Sequence, residues 1–457
     1  MTGFRSALLA ASLTIVPFAA DAATISLSEA LGVAYETNPQ LSAAQAALRA
    51  TDEEVAKANA GWRPTINAQG AWSSQQANIS GYGTVSAHPL QGQVTITQPL
   101  FRGGRTYAEI SRAKALVRAG RAQLTATEQS VLLDAVTAYM DVVRDEATVN
   151  LSQNNADVLK KQRDETRERF RVGELTRTDV SQSEARLAGA QSALVTAKGQ
   201  LAADRAVFAQ VIGRPAEELE GDPALPQLPE NADAALNLAL QTNPALVQAR
   251  ENAKAADYAV DDAVGTMLPS LALQGQYQYQ RGGFNTLGGL GGSGALSITE
   301  KLTSIQGVLN VPIYQGGADQ AEVRQAKEYR SQAEMNIVVS DRSVRQAVQA
   351  AWENFTAARA TIDSNKAQVQ ADQIAFEGVK REQQVGGRTT LDVLNAQQEL
   401  LNSQLSVVVA QRNTVVAAFQ LLAAAGKLTA QNLGLKVKAY DPTEHYDDDA
   451  ARWIGLD

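Results

Sequence analysis

Between Pro99 and Pro215 the sequence contains no proline, and between Pro312 and Pro442 it again contains none. An interior proline removes a backbone donor and clashes with the preceding turn, so these stretches are where long helices are permitted. An apolar seam fills both. Leu124, Val131, Ala135, Ala138, Val142 and Val149 step by 7, 4, 3, 4 and 7 residues. Adding 213 gives Ile337, Val344, Val348, Ala351, Phe355 and Ile362, the same seam in the same register. That spacing packs one helix along another in coiled-coil fashion. The predicted helices, Gly104–Phe170 and Gly317–Gln383, have 67 residues each, and each could extend ~100 Å.

Both helices run into the same turn. "FRVGELTRTDV" (Phe170–Val180) and "QQVGGRTTLDV" (Gln383–Val393) lie 213 residues apart. Gly173 in the first, and Gly386 with Gly387 in the second, can take the backbone conformation that ends a helix. Thr176 with Asp179, and Thr389 with Asp392, have the spacing of capping boxes that open a return helix. Each stretch is therefore expected to be the tip of an antiparallel helical hairpin.

The duplication covers nearly the whole chain. "TNPQL" at Thr37 returns as "TNPAL" at Thr242, an offset of 205 residues, and "QPLFRGGR" from Gln98 returns as "VPIYQGGA" from Val311, an offset of 213. The second copy thus holds an insertion, and the Gly-rich "RGGFNTLGGLGGSG" (Arg281–Gly294) supplies it as a flexible loop. The expected division is a signal peptide over 1–22, a first repeat over 23–220, a second over 221–430 and an acidic tail over 431–457. Each repeat would hold a helix, two strands and a long helical hairpin.

Between the short and long helices the period changes to two. In "SLALQGQYQYQ" (Ser270–Gln280), Leu271, Leu273, Gly275, Tyr277 and Tyr279 share one face and four glutamines the other. Its partner, Leu302–Val311, is less clean, because Leu302 and Val308 fall on the opposite parity to Ile305, Leu309 and Val311. Thr65–Ser74 and Gln93–Leu100 are the matching strands of the first half. These lengths suit a membrane-crossing strand, with lipid on one face and water on the other; a half-buried sheet in a soluble domain would alternate too. Four strands do not close a barrel and open edges are not viable in lipid, so two or three copies, giving eight or twelve strands, would have to share one.

The N-terminus fits export. Arg5 precedes the apolar run Ala7–Val16, and Ala20-Asp21-Ala22 resembles a cleavage site. No later segment is expected to carry the continuous apolar run of a membrane helix. The net charge of −8 offers no electrostatic reason to bind nucleic acid, and the absence of cysteine removes thiolate chemistry. The two histidines, His88 and His445, do not form a metal-ligand pair or a catalytic network. Asp447–Asp449 reads as a solvated acidic tail. No catalytic residue, cofactor site or metal site is expected, so any energy for transport comes from a partner.

With "NPQL", "WRPT", "QPLFRGGR", "AYMDVVRDEA", "RFRVGELTRTDV", "VPIYQGG" and "QQVGGRTTLDVLNAQQEL" in this order, the chain resembles the TolC family of outer-membrane exit ducts. The wording of "RFRVGELTRTDV" and "AYMDVVRDEA" is most similar to the branch that serves type I protein secretion. The resemblance implies an α+β fold, mainly a long α-helical coiled-coil barrel, with a transmembrane β-barrel shared between protomers at four strands per chain. It implies a homotrimer in the outer membrane of a Gram-negative bacterium, with a long periplasmic extension. A periplasmic adaptor and an inner-membrane transporter, ABC-type or proton-driven, would be its partners, and outer-membrane lipid its surroundings.

By the same resemblance, Asp392 matches the first aspartate ring of the pore constriction, and Asn395 stands where a second ring aspartate is usual. Arg388 matches an arginine that ties the mobile hairpin, and Asp179 a partner in the other hairpin. Gln383 replaces the family's tip tyrosine. Read locally instead, Asp179 and Asp392 are helix-cap acids and Arg388 a solvated loop charge; the two roles can coexist. The expected function is a passive, non-enzymatic exit duct for type I secretion. The alternatives are the duct of a multidrug efflux pump, a periplasmic coiled-coil protein without a pore, and a stand-alone porin.

Overall fold

A computed structural model describes residues 24–80, 83–285, 295–453 and 455. The expected signal peptide over 1–22 and the Gly-rich stretch 286–294 lie outside the described residues. In chain order the elements are α1 (Leu27–Thr37), α2 (Pro39–Asn59), β1 (Thr65–Trp72), β2 (Gln75–Ile79), β3 (Gly83–Ala87), β4 (Leu90–Arg102), α3 (Arg105–Arg171) and α4 (Arg177–Ile212). They continue with α5 (Ala232–Thr242), α6 (Pro244–Thr266), β5 (Ser270–Asn285), β6 (Ala295–Asn310), α7 (Ala318–Gln384), α8 (Thr390–Ala424) and α9 (Glu444–Asp449). The long helices α3 and α7 have 67 residues each and start 213 residues apart.

The chain divides into two compact units. One contains the described residues up to Ala34, together with Ala135–Leu225 and Ser364–Arg412; the other contains Tyr35–Asp134, Pro226–Asp363 and the chain from Asn413 onward. The first unit thus holds both hairpin tips, and the second holds the sheet.

Local chemistry sets the helix ends. Asn38 accepts from the Gln40 N–H at 2.9 Å with Pro39 opening α2, and Asn243 accepts from the Ala245 N–H at 3.0 Å with Pro244 opening α6. An Asn cap followed by proline satisfies an orphan donor and wastes none, since proline has no N–H. Between β4 and α3 the chain turns through Gly103 at φ 65°. A Cβ there would sit 2.4 Å from the Gly265 carbonyl oxygen, so this backbone approach is open only to glycine.

The repeated seam is the buried line. Val131, Ala135, Ala138 and Val142 in α3, and Val344, Val348, Ala351 and Phe355 in α7, are all buried, while Val149, Ile337 and Ile362 at the seam ends are half-buried. In the second unit Val344, Val348, Ala351 and Phe355 pack with Ala235, Leu246, Ala418 and Leu421. In the first, Ala156 and Leu159 pack with Leu187, Ala190, Leu194 and Leu394. Contrary to the sequence expectation, α8 is long and apolar enough to cross a membrane; half of its apolar stretch is buried in the protein instead.

The sheet has four antiparallel spans built from six strands. β1 pairs with β4 and β2 with β3, β5 pairs with β4 and with the end of β3, and β6 pairs with β5. The stretch between the expected strands Thr65–Ser74 and Gln93–Leu100 therefore contains a hairpin of its own, and β5 and β6 run on to Asn285 and back from Ala295. β4 shifts register between Pro99 and Phe101, beside a residue that cannot donate to the ladder.

Register sorts the side chains by face. One face carries the rows Thr65–Thr97–Gln274–Gln306 and Asn67–Thr95–Gln276–Ser304. The other carries Ile66–Ile96–Gly275–Ile305 and Ala68–Val94–Tyr277–Thr303. On the polar face Gln306 donates to Gln274 at 3.1 Å. The apolar face is uncovered: Ile66 is 67% and Ile305 77% exposed. A sheet with one uncovered apolar face and one glutamine face fits lipid on one side and water on the other.

Candidate functional site

The two hairpin tips share one design. At the end of α3 the Glu174 N–H donates to the Arg169 carbonyl at 2.9 Å and the Gly173 N–H to Phe170 at 3.0 Å. At the end of α7 the Gly387 N–H donates to Glu382 at 2.8 Å and the Gly386 N–H to Gln383 at 3.2 Å. Gly173 (φ 85°) and Gly386 (φ 80°) supply the left-handed residue of this Schellman ending. Three residues on, Thr176 accepts from the Asp179 N–H and Asp179 from the Thr176 N–H, a reciprocal capping box. Thr389 and Asp392 repeat it at 3.2 and 2.9 Å.

These contacts decide what the tip charges are free to do. Asp392 is half-buried, and its hydrogen bonds from the backbone and then the side chain of Thr389, helped by the charge of Arg388, hold its carboxyl below the usual range. It therefore stays ionised to lower pH than a free carboxyl. Arg388 donates to Glu382 at 2.9 Å, within its own hairpin. The expected Arg388–Asp179 pair is not made within the chain. Asp179 is committed to its capping box, and Arg388 folds back on the helix it follows.

The contact that joins the hairpins near the tips is different. Arg186 on α4 donates to the Asn395 side-chain oxygen on α8 at 2.8 Å. Asn395, the departure from the second aspartate ring, is thus an acceptor for an arginine. Gln397 on α8 donates to Asn155 on α3 at 3.2 Å. Farther along, Arg412 on α8 reaches Asp141 on α3 at 2.9 Å. Asp141 also holds Arg144 at 2.7 Å, and Arg144 bridges Asp145 at 2.7 Å and Asp204 on α4 at 2.9 Å. Burial pushes the Asp145 carboxyl up, despite Arg144. Asp204, though burial opposes it, is held below the usual range by hydrogen bonds from Asp145 and Gln200 and by the charge of Arg144. One carboxyl donating to the other, with a guanidinium across both, accounts for the opposite shifts.

Gln383, in place of the tip tyrosine, is buried. Arg186 was missed in the sequence because nothing local marks it: its partner lies 209 residues away.

A two-faced sheet joined to helical hairpins, with capped glycine tips and polar ties between the hairpins, is the arrangement of an outer-membrane channel. Residues 30–214 and 235–427 match the family described as outer membrane efflux protein, and the chain belongs to this family, that of the TolC-like ducts. It is 35% identical over 433 residues to "Outer membrane efflux protein BepC" of Brucella suis, covering 94% of this chain and 91% of that one. It is 26% identical over 382 residues to "Outer membrane protein TolC" of Escherichia coli, covering 80% and 76%. The Campylobacter jejuni CmeC outer membrane channel superposes with a TM-score of 0.76 at 16% identity, over 93% of this chain and 89% of that one, and so shares the fold. The protein is an outer-membrane channel of efflux or secretion, located in the outer membrane of a Gram-negative bacterium.

Proposed function

We propose that three copies of the chain form one passive exit duct, closed at the hairpin tips and opened by an inner-membrane transporter through a periplasmic adaptor. The observation that carries this is the sheet. Among the described residues its outer spans pair on one side only, β1 with β4 and β6 with β5. Four spans cannot close, and three sets make twelve. The glutamine face then lines water and the apolar face meets lipid. At the tips Asp392 and Asn395 ring the constriction, Arg186 ties α4 to α8, and any pairing of Arg388 with Asp179 is made between copies.

The cargo in this reading is an unfolded secreted polypeptide, supported by the tip wording of the type I secretion branch. A second reading, export of small toxic solutes, is supported by the name of the relative at 35% identity. Deleting the gene separates them. Loss of polypeptides from the culture medium with unchanged antibiotic susceptibility supports secretion, and the reverse supports efflux. Membrane fractions should hold an oligomer that resists SDS until heated; a soluble monomer overturns the duct.

A further inference from the structure

The C-terminal tail, expected to be solvated, is drawn onto α2. Tyr446 and Ala450 pack against the buried cluster of Val55, Ala113 and Val117. Asn59 donates to the Ala450 carbonyl at 2.8 Å, and the Arg121 guanidinium lies over the Tyr446 ring at 5.3 Å. This docking brings His445 and Asp449, one turn apart on α9, against Glu53 on α2. The His445 Nδ1 is 2.9 Å from an Asp449 carboxylate oxygen, and its Nε2 is 3.4 Å from Glu53 Oε1. One ligand atom from each of the three lies within 4.8 Å of the others.

The imidazole geometry is that of a metal-ligating histidine. In the Nδ1–H tautomer, with the proton on the Asp449 side, the Nε2 lone pair is turned toward the lone pairs of Glu53. Two acceptors face each other there, and a cation between them would satisfy both. Tetrahedral bonds of about 2.0–2.2 Å separate their ligand atoms by about 3.4 Å, the spacing of this pair. A second observation is independent of the three. Asp52, the residue before Glu53, is 2% exposed, and neither carboxylate oxygen has a hydrogen-bond partner among the described residues. Burial pushes its carboxyl above the usual range, and the charges of Arg121, His445, Glu53 and Asp449 also act on it, so a buried, unpartnered carboxyl lies beside the cluster. Arg452 pairs with Asp449 at 2.9 Å from the far side. Glu53 and His445 are half-open to solvent, which leaves an entry path.

We propose that this cluster binds a divalent transition-metal cation of the Zn²⁺ class, through His445 Nε2 and Glu53, with Asp449 orienting the ring. The imidazole ligand favours Zn²⁺ over the oxygen-seeking Ca²⁺ and Mg²⁺. The bound ion would clamp the C-terminal segment onto α2.

The test uses the full mature chain in detergent, stripped of metal with a chelator and titrated with zinc chloride by calorimetry. One ion per chain, with a dissociation constant on the order of micromolar, is expected. His445→Gln and Glu53→Gln should each weaken binding at least tenfold, while His88→Gln leaves it unchanged. Zinc should also slow tryptic cleavage at Lys436 and Lys438 in the wild type and not in His445→Gln. Equal binding by wild type and His445→Gln, absence of stoichiometric binding, or tighter binding of Ca²⁺ than of Zn²⁺ overturns the proposal.

Discussion

Arg186 and Asn395, 209 residues apart in sequence, meet at 2.8 Å and tie the return helix of the first hairpin to that of the second. A hydrogen bond from a guanidinium contributes about 1 kcal/mol at an exposed site, or roughly a fivefold bias in a two-state equilibrium for each copy. Arg186→Ala should raise single-channel conductance in planar bilayers and sensitise cells to large antibiotics. Arg388→Ser should do less, because Arg388 pairs within its own hairpin. A larger effect from Arg388→Ser would mean that contacts between copies hold the tip.

Asp392 combines a cap with a charge, and Asp392→Asn separates the two. Asparagine caps a helix nearly as well as aspartate, so oligomer yield should stay near wild type while cation selectivity and block by multivalent cations weaken. The folded-state pKa of Asp392 is depressed, so the stability it lends the tip is present above its unfolded value and lost as pH falls through the lower folded value. Selectivity in the wild type should therefore persist through mildly acidic solutions. Unchanged selectivity in Asp392→Asn would leave the residue as a cap alone.

Asp145 titrates in the opposite sense. Its folded pKa is raised, so its contribution is complete below the unfolded value and fades as pH rises through the folded one. Asp145→Asn keeps an N–H donor toward Asp204 at every pH. The variant should gain thermal stability relative to wild type as pH rises through the raised folded pKa of Asp145, and lose that advantage at lower pH. A constant difference across the pH range would show that the shared proton is absent.

The seam can be tested with one buried charge. Ala351 packs with Val348, Phe355, Ala418 and Leu421, and Ala351→Asp places an unpaired carboxylate among them, costing on the order of 3 kcal/mol or more. Oligomer yield should fall sharply. Gln349, two residues away and exposed, bonds only Glu353 among the described residues; Gln349→Ala should be tolerated. Equal effects would place the seam elsewhere.

The two faces of the sheet make a matched pair of tests. Tyr277 lies on the apolar face and Gln276 on the glutamine face. Tyr277→Lys should reduce the assembled outer-membrane protein, since a lysine at mid-membrane on the lipid side costs ~2–4 kcal/mol. Gln276→Lys should assemble normally and alter conductance. Similar yields for both would argue against a lipid-facing surface.

Much of this fold was legible because its determinants are local or periodic. Two proline-free spans and a seam repeated at 213 residues located α3 and α7 to within one residue at each end. The tip turns were readable because glycine and the Thr–Asp cap act over a few residues. β6 was harder: Leu302 and Val308 sit on the polar side, opposite Gln278 and Ala272, so parity alone did not sort it. The ties between hairpins were not readable, because Arg186, Asn395, Arg412 and Asp141 owe their partnership to helix packing over long separations. His445 was lost in an acidic tail whose docking depends on Tyr446 and Ala450 finding an apolar patch formed by α2 and α3.

The open sides of the sheet have a genetic consequence. In the proposed trimer, a barrel sector whose outer spans have no partner in their own chain among the described residues is completed by neighbouring copies, so every finished barrel samples several gene products. A chain whose β6 cannot pair, but whose helices still associate, would spoil each assembly it joins. If one half of the chains carry the lesion and mixing is random, only about one trimer in eight escapes. Such an allele would be dominant over the wild type, whereas a null allele would be recessive.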